Sequence, residues 1–298
     1  MANLKEIRVR IASVKSTRQI TSAMKMVSAS KLRKAQNGIL NLRPYAQKLQ
    51  HLLAILQHRT TSANQGENIN PFSQNREVKN ILLIVFTANK GLCGPFNSFV
   101  IKSAIRRIEE IDKTANVKLF LVGKKGFEFF KKRDTEILGH ELDVLSSDNY
   151  KYCITMAERF MNMFISGDVD QIEMVYNKFK NPAVQEVVCE QFLPFSNNSV
   201  DSKGKKLREE EVNDIILEPN EIEVLNELIP KTIRTMFYRV ALDSFASEQG
   251  ARMTAMHKAT DNATEVLKDL TIKYNKVRQA TITGEIVEIV SGAEALNQ

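Results

Sequence analysis

Apolar residues in the first sixty positions fall at Leu4, Ile7, Ile11, Val14, Ile20, Met24, Val27, Leu32, Ala35, Ile39, Leu42, Leu49, Leu52 and Leu56. Steps of three, four or seven recur, with slips near Thr17 and Ser28, which is the spacing of a long amphipathic helix with a coiled-coil seam. Only Gly38 and Pro44 interrupt it. A continuous run of roughly 55 residues would reach about 80 Å, too long to stand without a partner along its length. The other end of the chain supplies one. From Glu221 to Val290 the single proline is Pro230 and the glycines are Gly250 and Gly284, while Leu225, Ile229, Ile233, Met236, Val240, Met256, Val266, Leu270, Tyr274 and Val277 again read as helix. Pro230 marks either a kink or a first-turn position. Two helices of matched length at opposite ends predict an antiparallel pair. Ala251, Ala255, Ala259 and Ala263 recur every fourth residue, and Ser22, Ala23, Ser28, Ala29 and Ser30 sit midway along the first helix. Small side chains at these spacings allow close backbone approach, although alanine is also simply a good helix former.

The middle of the chain has a different texture. Residues 80–87 (NILLIVFT) and 117–122 (VKLFLV) are short apolar runs ended by glycine-containing turns, as in buried strands. Residues 171–179 alternate, 187–195 form a further strand pattern, and helical patterns cover 96–111, 126–133 and 150–165. Strands alternating with helices predict a mainly parallel sheet covered by helices, with the later strands as candidates for an antiparallel edge. The polar stretches 60–76 and 196–213 read as connectors. The expected organisation is an N-terminal coiled-coil helix at 1–59, a central Rossmann-like α/β domain at 77–217 and a C-terminal coiled-coil helix at 221–291.

Charge changes this picture more than bulk composition does. The chain has 298 residues and a formal net charge of +7. Residues 1–59 hold twelve bases against the single acid Glu6, while the other 239 residues hold 30 bases and 34 acids. A basic arm on a slightly acidic body implies an acidic partner, with an acidic protein and nucleic acid fitting equally well at this point. Cys93, Cys153 and Cys189 are odd in number and widely spaced, which argues against a disulfide framework or a zinc ribbon. The start lacks the apolar core of a signal peptide, and no window approaches the length of a membrane span.

The α/β pattern raises a nucleotide hypothesis that its turns do not support. The sequence TANKGLCGP follows the first strand and VGKKG the second, and neither is a phosphate-cradling GxGxxG or GxxxxGK[ST] loop. Cys93 has no histidine near it in sequence and reads as a small buried residue. Glu209, Glu210 and Glu211 lie in a polar connector, and no GxSxG elbow is present. No catalytic, cofactor-binding or metal-ligating residue is expected, and no cofactor. The tail places Ile282, Ile286, Val287, Ile289, Val290, Ala293 and Leu296 around what reads as most of a helix circumference. A bare apolar end of that kind calls for a sheath from another protein.

Three blocks identify a resemblance. Residues 3–36 (NLKEIRVRIASVKSTRQITSAMKMVSASKLRKAQ), 244–292 with SFASEQGARMTAMHKATDNA and NKVRQATITGEIVEIVSGA, and the turn NKGLCG closely resemble the gamma subunit family of F-type ATP synthases. They span about 85 residues in the family's order. The resemblance implies a central rotor shaft that couples rotation of a membrane c-ring to conformational change in catalytic beta subunits, without itself being an enzyme. It implies as partners the alpha and beta subunits, the epsilon subunit and the c-ring, with no nucleic acid and no direct membrane insertion. It assigns Arg278 and Gln279 to polar contact with a beta-subunit catch loop, and Arg252, Met24 and Lys25 to the vicinity of the beta levers. Ile286, Val287, Ile289 and Val290 become the apolar bearing tip. The Cys-pair insertion of light-regulated chloroplast members is absent, and the start, free of an Arg-rich presequence, favours the cytoplasmic face of a bacterial inner membrane, a mature mitochondrial chain being similar. A coiled-coil nucleic-acid-binding protein with a degenerate nucleotide fold is the alternative, and a static interaction scaffold a third reading.

Overall fold

A computed structural model describes residues 4–63, 71–74, 76–111, 114–133, 135–142, 144, 150–182, 184–195, 218 and 220–296. Helix α1 runs Leu4–Ala63 over 60 residues, about 90 Å at 1.5 Å per residue. Between it and the last helix lie β1 (Asn80–Phe86), α2 (Phe96–Ile111), β2 (Asn116–Val122), α3 (Lys124–Phe130), β3 (Glu136–Glu141), α4 (Tyr150–Ser166), β4 (Gln171–Phe179) and β5 (Gln185–Leu193). Helix α5 closes the chain at Glu221–Leu296 with 76 residues. The chain divides into two compact units, one of residues 1–28 with 252–298 and one of residues 29–251. The expected connector at 196–213 lies outside the described residues, as do residues 64–70 and 75 of the one at 60–76, whose first four residues belong to α1.

The sheet order is β3-β2-β1-β4-β5. The β1–β2, β1–β4 and β2–β3 pairs are parallel and β4–β5 is antiparallel, so β5 is the antiparallel edge. Strand β1 is apolar throughout because both of its faces are covered. Leu83 and Val85 pack with Val100, Ala104 and Ile108 of α2 and Phe130 of α3. On the other face, Phe237 of α5 meets Phe86, Phe160 and Phe192 at ring-centroid distances of 5.8, 5.7 and 5.9 Å. The last helix therefore builds one wall of the α/β core. One buried charge is paired: Glu173, 5% exposed in its side chain, receives Arg107 at 2.7 Å from Nε and 2.6 Å from Nη2. This two-pronged bond raises the Arg107 pKa above its ordinary value.

Four details depart from the sequence reading. Strand β3 was not anticipated, since EILGHE is short and broken by glycine; Gly139 sits where a Cβ would lie 2.8 Å from the Phe120 ring. Pro230 is not a first-turn residue but lies inside α5, which Asn220 caps by accepting the Glu223 N–H at 2.8 Å. Helix α1 passes through Gly38 and Pro44 without interruption. The slips near Thr17 and Ser28 are absent from its buried stripe: Ile20 and Val27 are exposed, and the stripe runs Ile7, Ile11, Val14, Arg18, Thr21, Lys25, Ser28, Leu32, Ala35, Ile39, Leu42 in unbroken steps of four and three. The heptad is regular, and polar residues occupy part of it.

Candidate functional site

In the unit formed by the start of α1 and the end of α5, the two helices run antiparallel. Arg8 lies opposite Tyr274 (Nη2 to Oη 3.4 Å), Thr21 opposite Thr260 (Oγ1 to Oγ1 2.9 Å), and Lys25 opposite His257 (Nζ to Nδ1 3.2 Å). On α5 the inward stripe is Met256, Thr260, Ala263, Leu267, Leu270, Tyr274 and Val277. The seam is thus apolar near the α1 start and polar around Arg18, Thr21, Lys25 and Ser28. Polar residues at such positions fix register at some cost in stability. Of the small residues noted in sequence, Ser28, Ala251 and Ala263 are buried and Ser22, Ala29, Ala255 and Ala259 half-buried, whereas Ala23 and Ser30 face solvent.

Outward, α1 is a basic surface: Lys5, Arg8, Arg10, Lys15, Lys31, Arg33, Lys34, Arg43 and Lys48 are exposed, and among the described bases only Arg18 and Lys25 turn partly inward. From Arg278 to Ala293 every α5 residue is exposed. Arg278 and Gln279 lie there, followed by Ile286, Val287, Ile289 and Val290, which are 56, 57, 71 and 55% exposed. At 100° per residue these and Ile282 cover roughly 160° of the helix. The apolar end is a one-sided stripe, with Glu285 and Glu288 opposite, and not a ring around most of the circumference. Of the sequence-selected residues, Met24, Lys25 and Arg252 share one stretch of the pair, half-buried for the first two and 7% exposed for Arg252. Arg278 and Gln279 are about 40 Å further along α5, and the apolar stripe about 12–18 Å beyond them.

In the α/β unit the position to inspect is the carboxyl end of β1 and β4, where the strand order reverses and ligands bind in open α/β folds. Here it is filled by the protein itself. Ala251 of α5 packs with Ala88, Cys93 and Phe96. Ser247 Oγ donates to the Asn177 carbonyl at 3.0 Å, and a Cβ on Gly250 would lie 3.2 Å from Pro182 Cα. The backbone amides around the strand ends are also taken: Lys124, Lys125 and Gly126 donate to Asn89 Oδ1, the Ala88 carbonyl and Thr87 Oγ1 at 3.0, 3.1 and 2.8 Å, and Ala88 donates to Asn97 Oδ1 at 2.8 Å. The GLCG turn places Leu92 and Gly94 at positive φ, with Leu92 exposed. The thiols are not nucleophiles in waiting. Cys93 is buried, while burial pushes Cys153 up to about 12 and burial together with Glu173 pushes Cys189 up to about 12.

Sequence reasoning passed over His257, Asp261, Thr21 and Thr260 in the seam and Ser247 and Gly250 in the crevice. The signal present for the first group was a polar residue at a heptad position. The second group carries no local signal, because its role depends on a strand that folds far away in sequence.

One unit is a long antiparallel helix pair, and the other an α/β body whose crevice its own last helix fills. The family model described as ATP synthase matches residues 3–296. The ATP synthase gamma chain of Flavobacterium johnsoniae is 48% identical over the whole of both chains, and that of Christiangramia forsetii 46% identical, again over the whole of both. In fold, the chain is similar to a subunit of the Euglena gracilis mitochondrial ATP synthase solved as an OSCP/F1/c-ring assembly, with TM-score 0.66, 21% identity, and coverage of 98% of this chain and 94% of that one. The chain belongs to the ATP synthase gamma chain family.

Proposed function

We propose that the chain is a non-catalytic shaft that couples rotation of a membrane c-ring to conformational change in the catalytic beta subunits of an F-type ATP synthase, with alpha, beta and epsilon subunits as its other partners. The observation that carries the non-catalytic reading is the crevice at the carboxyl ends of β1 and β4, occupied by Ser247, Gly250 and Ala251 of the chain's own last helix. This filling supports a reading in which the α/β body takes no nucleotide. Nucleotide chemistry belongs to the partners, and the shaft acts by contact.

The contacts follow from the exposed surfaces. Each rotor orientation presents a different set of side chains to a given beta subunit, and only a difference in contact free energy between conformations can shift their populations. A swing from 1:99 to 99:1 requires about 5.5 kcal/mol of such difference. Exposed cations of α1 against acidic levers, together with Arg278 and Gln279 against a catch loop, supply terms of that size through several charge-assisted hydrogen bonds. Met24, Lys25 and Arg252 form the second contact region. The Ile286, Val287, Ile289 and Val290 stripe serves as a bearing, since apolar contact has no directional bonds to break on turning. Among the described residues no helix is long and apolar enough to cross a membrane, so attachment through the c-ring on the cytoplasmic face of a bacterial inner membrane is the reading we adopt.

Reconstitution tests the proposal. Alpha and beta subunits mixed with this chain should assemble and hydrolyse ATP cooperatively, and omission of the chain should abolish both. ATP hydrolysis by the purified chain alone would overturn the non-catalytic reading, and tight duplex or single-strand binding at physiological salt without affinity for alpha and beta subunits would overturn the shaft.

A further inference from the structure

The polar stretch of the seam holds a contact with two mutually exclusive hydrogen-bonding states. His257 Nδ1 lies 3.2 Å from Lys25 Nζ of α1 and 3.4 Å from Asp261 Oδ2, one turn along its own helix. An ammonium has donors only and a carboxylate acceptors only. The same nitrogen can therefore accept from Lys25 only while it carries no proton, and donate to Asp261 only once it does. The two states cannot coexist.

We infer that Lys25, His257 and Asp261 form a proton-controlled switch in the helix pair. With neutral His257, the ring is the Nε2–H tautomer and Lys25 is tied across the seam to Nδ1. When the ring takes up a second proton, Nδ1–H turns to Asp261, the imidazolium and ammonium repel each other, and Lys25 is released. The groups facing the imidazole are Lys25 from α1 and Asp261 from α5, the two helices packed in this unit. Lys258 follows it in sequence, and Arg18 sits two turns from Lys25 on the α1 stripe. Its consequence for torque rests on the shaft reading, in which Lys25 is a beta-subunit contact: acidification would free that lysine for an acidic lever. The switch itself does not rest on it.

The full-length chain labelled with 15N-histidine, followed by long-range proton–nitrogen correlation from pH 5.5 to 8.5, tests the switch, with H257Q identifying the signal among the four histidines. The expected result is the Nε2–H tautomer in the neutral form. Lys25→Met should raise the His257 midpoint and Asp261→Asn should lower it, each by about 0.2–0.7 pH unit, the size expected for exposed pairs. All three side chains are at least partly exposed, so circular dichroism of the variants should match the parent. A neutral Nδ1–H tautomer, or variants that shift the midpoint in the same direction or not at all, would overturn it. Failure of the shaft reading would show separately, as failed reconstitution with alpha and beta subunits while the tautomer and both shifts stand.

Discussion

Asp243 is the residue whose chemistry is most altered by its surroundings. It lies 8% exposed on α5, and burial raises its pKa to about 6; Arg239, Lys178 and Arg43 pull it down while Glu190 pushes it up. A carboxyl whose folded pKa lies above the unfolded value near 3.9 favours the folded state fully only below that value, and the contribution is lost as pH rises through 6. Asp243→Asn should therefore stabilise the chain at pH 7.5 by an amount on the order of 2 kcal/mol and leave stability at pH 4 nearly unchanged, as read from denaturant midpoints. An equal effect at both pH values would mean that the Asp243 pKa does not change on folding, and a loss of stability at pH 7.5 would mean that the carboxylate is ionised and paired. Gly250 makes the complementary steric case. A Cβ there would meet Pro182 Cα at 3.2 Å and its carbonyl oxygen at 3.3 Å. Alanine needs a shift of a few tenths of an ångström and gains about 1 kcal/mol of helix propensity, so Gly250→Ala should be close to neutral. Gly250→Leu should cost roughly 1–3 kcal/mol. Denaturation of both variants measures the difference, and a neutral leucine would show that the helix stands off from the β4–β5 turn.

At the scale of elements, α5 changes character along its length without changing conformation. Residues 240–252 are buried at every position although they include Asp243, Ser244, Ser247, Glu248, Gln249 and Arg252. Farther on, the buried stripe narrows to one seam and then vanishes after Val277. Burial and not sequence period separates these regions. The alanine ridge is divided: Ala251 packs in the crevice, Ala263 lies on the seam stripe, and Ala255 and Ala259 are half-buried beside it. Replacing both with leucine should cost roughly 1–3 kcal/mol per overpacked site, seen as a lower denaturation midpoint with the α/β core still folded. The regular helix period made α1 and α5 legible in sequence, the apolar runs made β1 and β2 legible, and alternation made β4 legible. Strand β3 was not, because Gly139 answers to the Phe120 ring that packs against it. Ile20 and Val27 misled the sequence reading for a related reason: hydrophobicity says that a side chain benefits from cover, not which cover it receives.

At the scale of the whole molecule, two exposed surfaces of different chemistry lie on one helix and predict separable defects in the assembled complex. Arg278→Glu with Gln279→Leu should leave the chain folded and the complex assembled while lowering ATP-driven proton pumping more than hydrolysis. Unchanged coupling would remove those residues from the contact. Replacing Ile286, Val287, Ile289 and Val290 with serine should instead weaken assembly or raise rotational drag in single-molecule rotation, since it removes apolar burial worth about 1.5–3 kcal/mol per side chain if fully covered by a partner. Both variants should keep wild-type denaturation midpoints, because those side chains have no cover within the chain.

Local pattern alone determined that the chain ends in two long helices, that an α/β sheet lies between them, that its basic charge is gathered on the first helix, and that the strand-end turns lack a phosphate cradle. These are properties of neighbours in sequence: periodicity, turn chemistry and charge density. Only the tertiary structure decided that α5 fills the crevice left at the sheet's switch point, that polar residues hold the heptad at Arg18, Thr21, Lys25 and Ser28, and that one imidazole stands between an ammonium and a carboxylate. Most of these relations join residues from about seventy to more than two hundred positions apart, and the free energy that selects them is the close packing and hydrogen-bond pairing available only after the chain has brought them together.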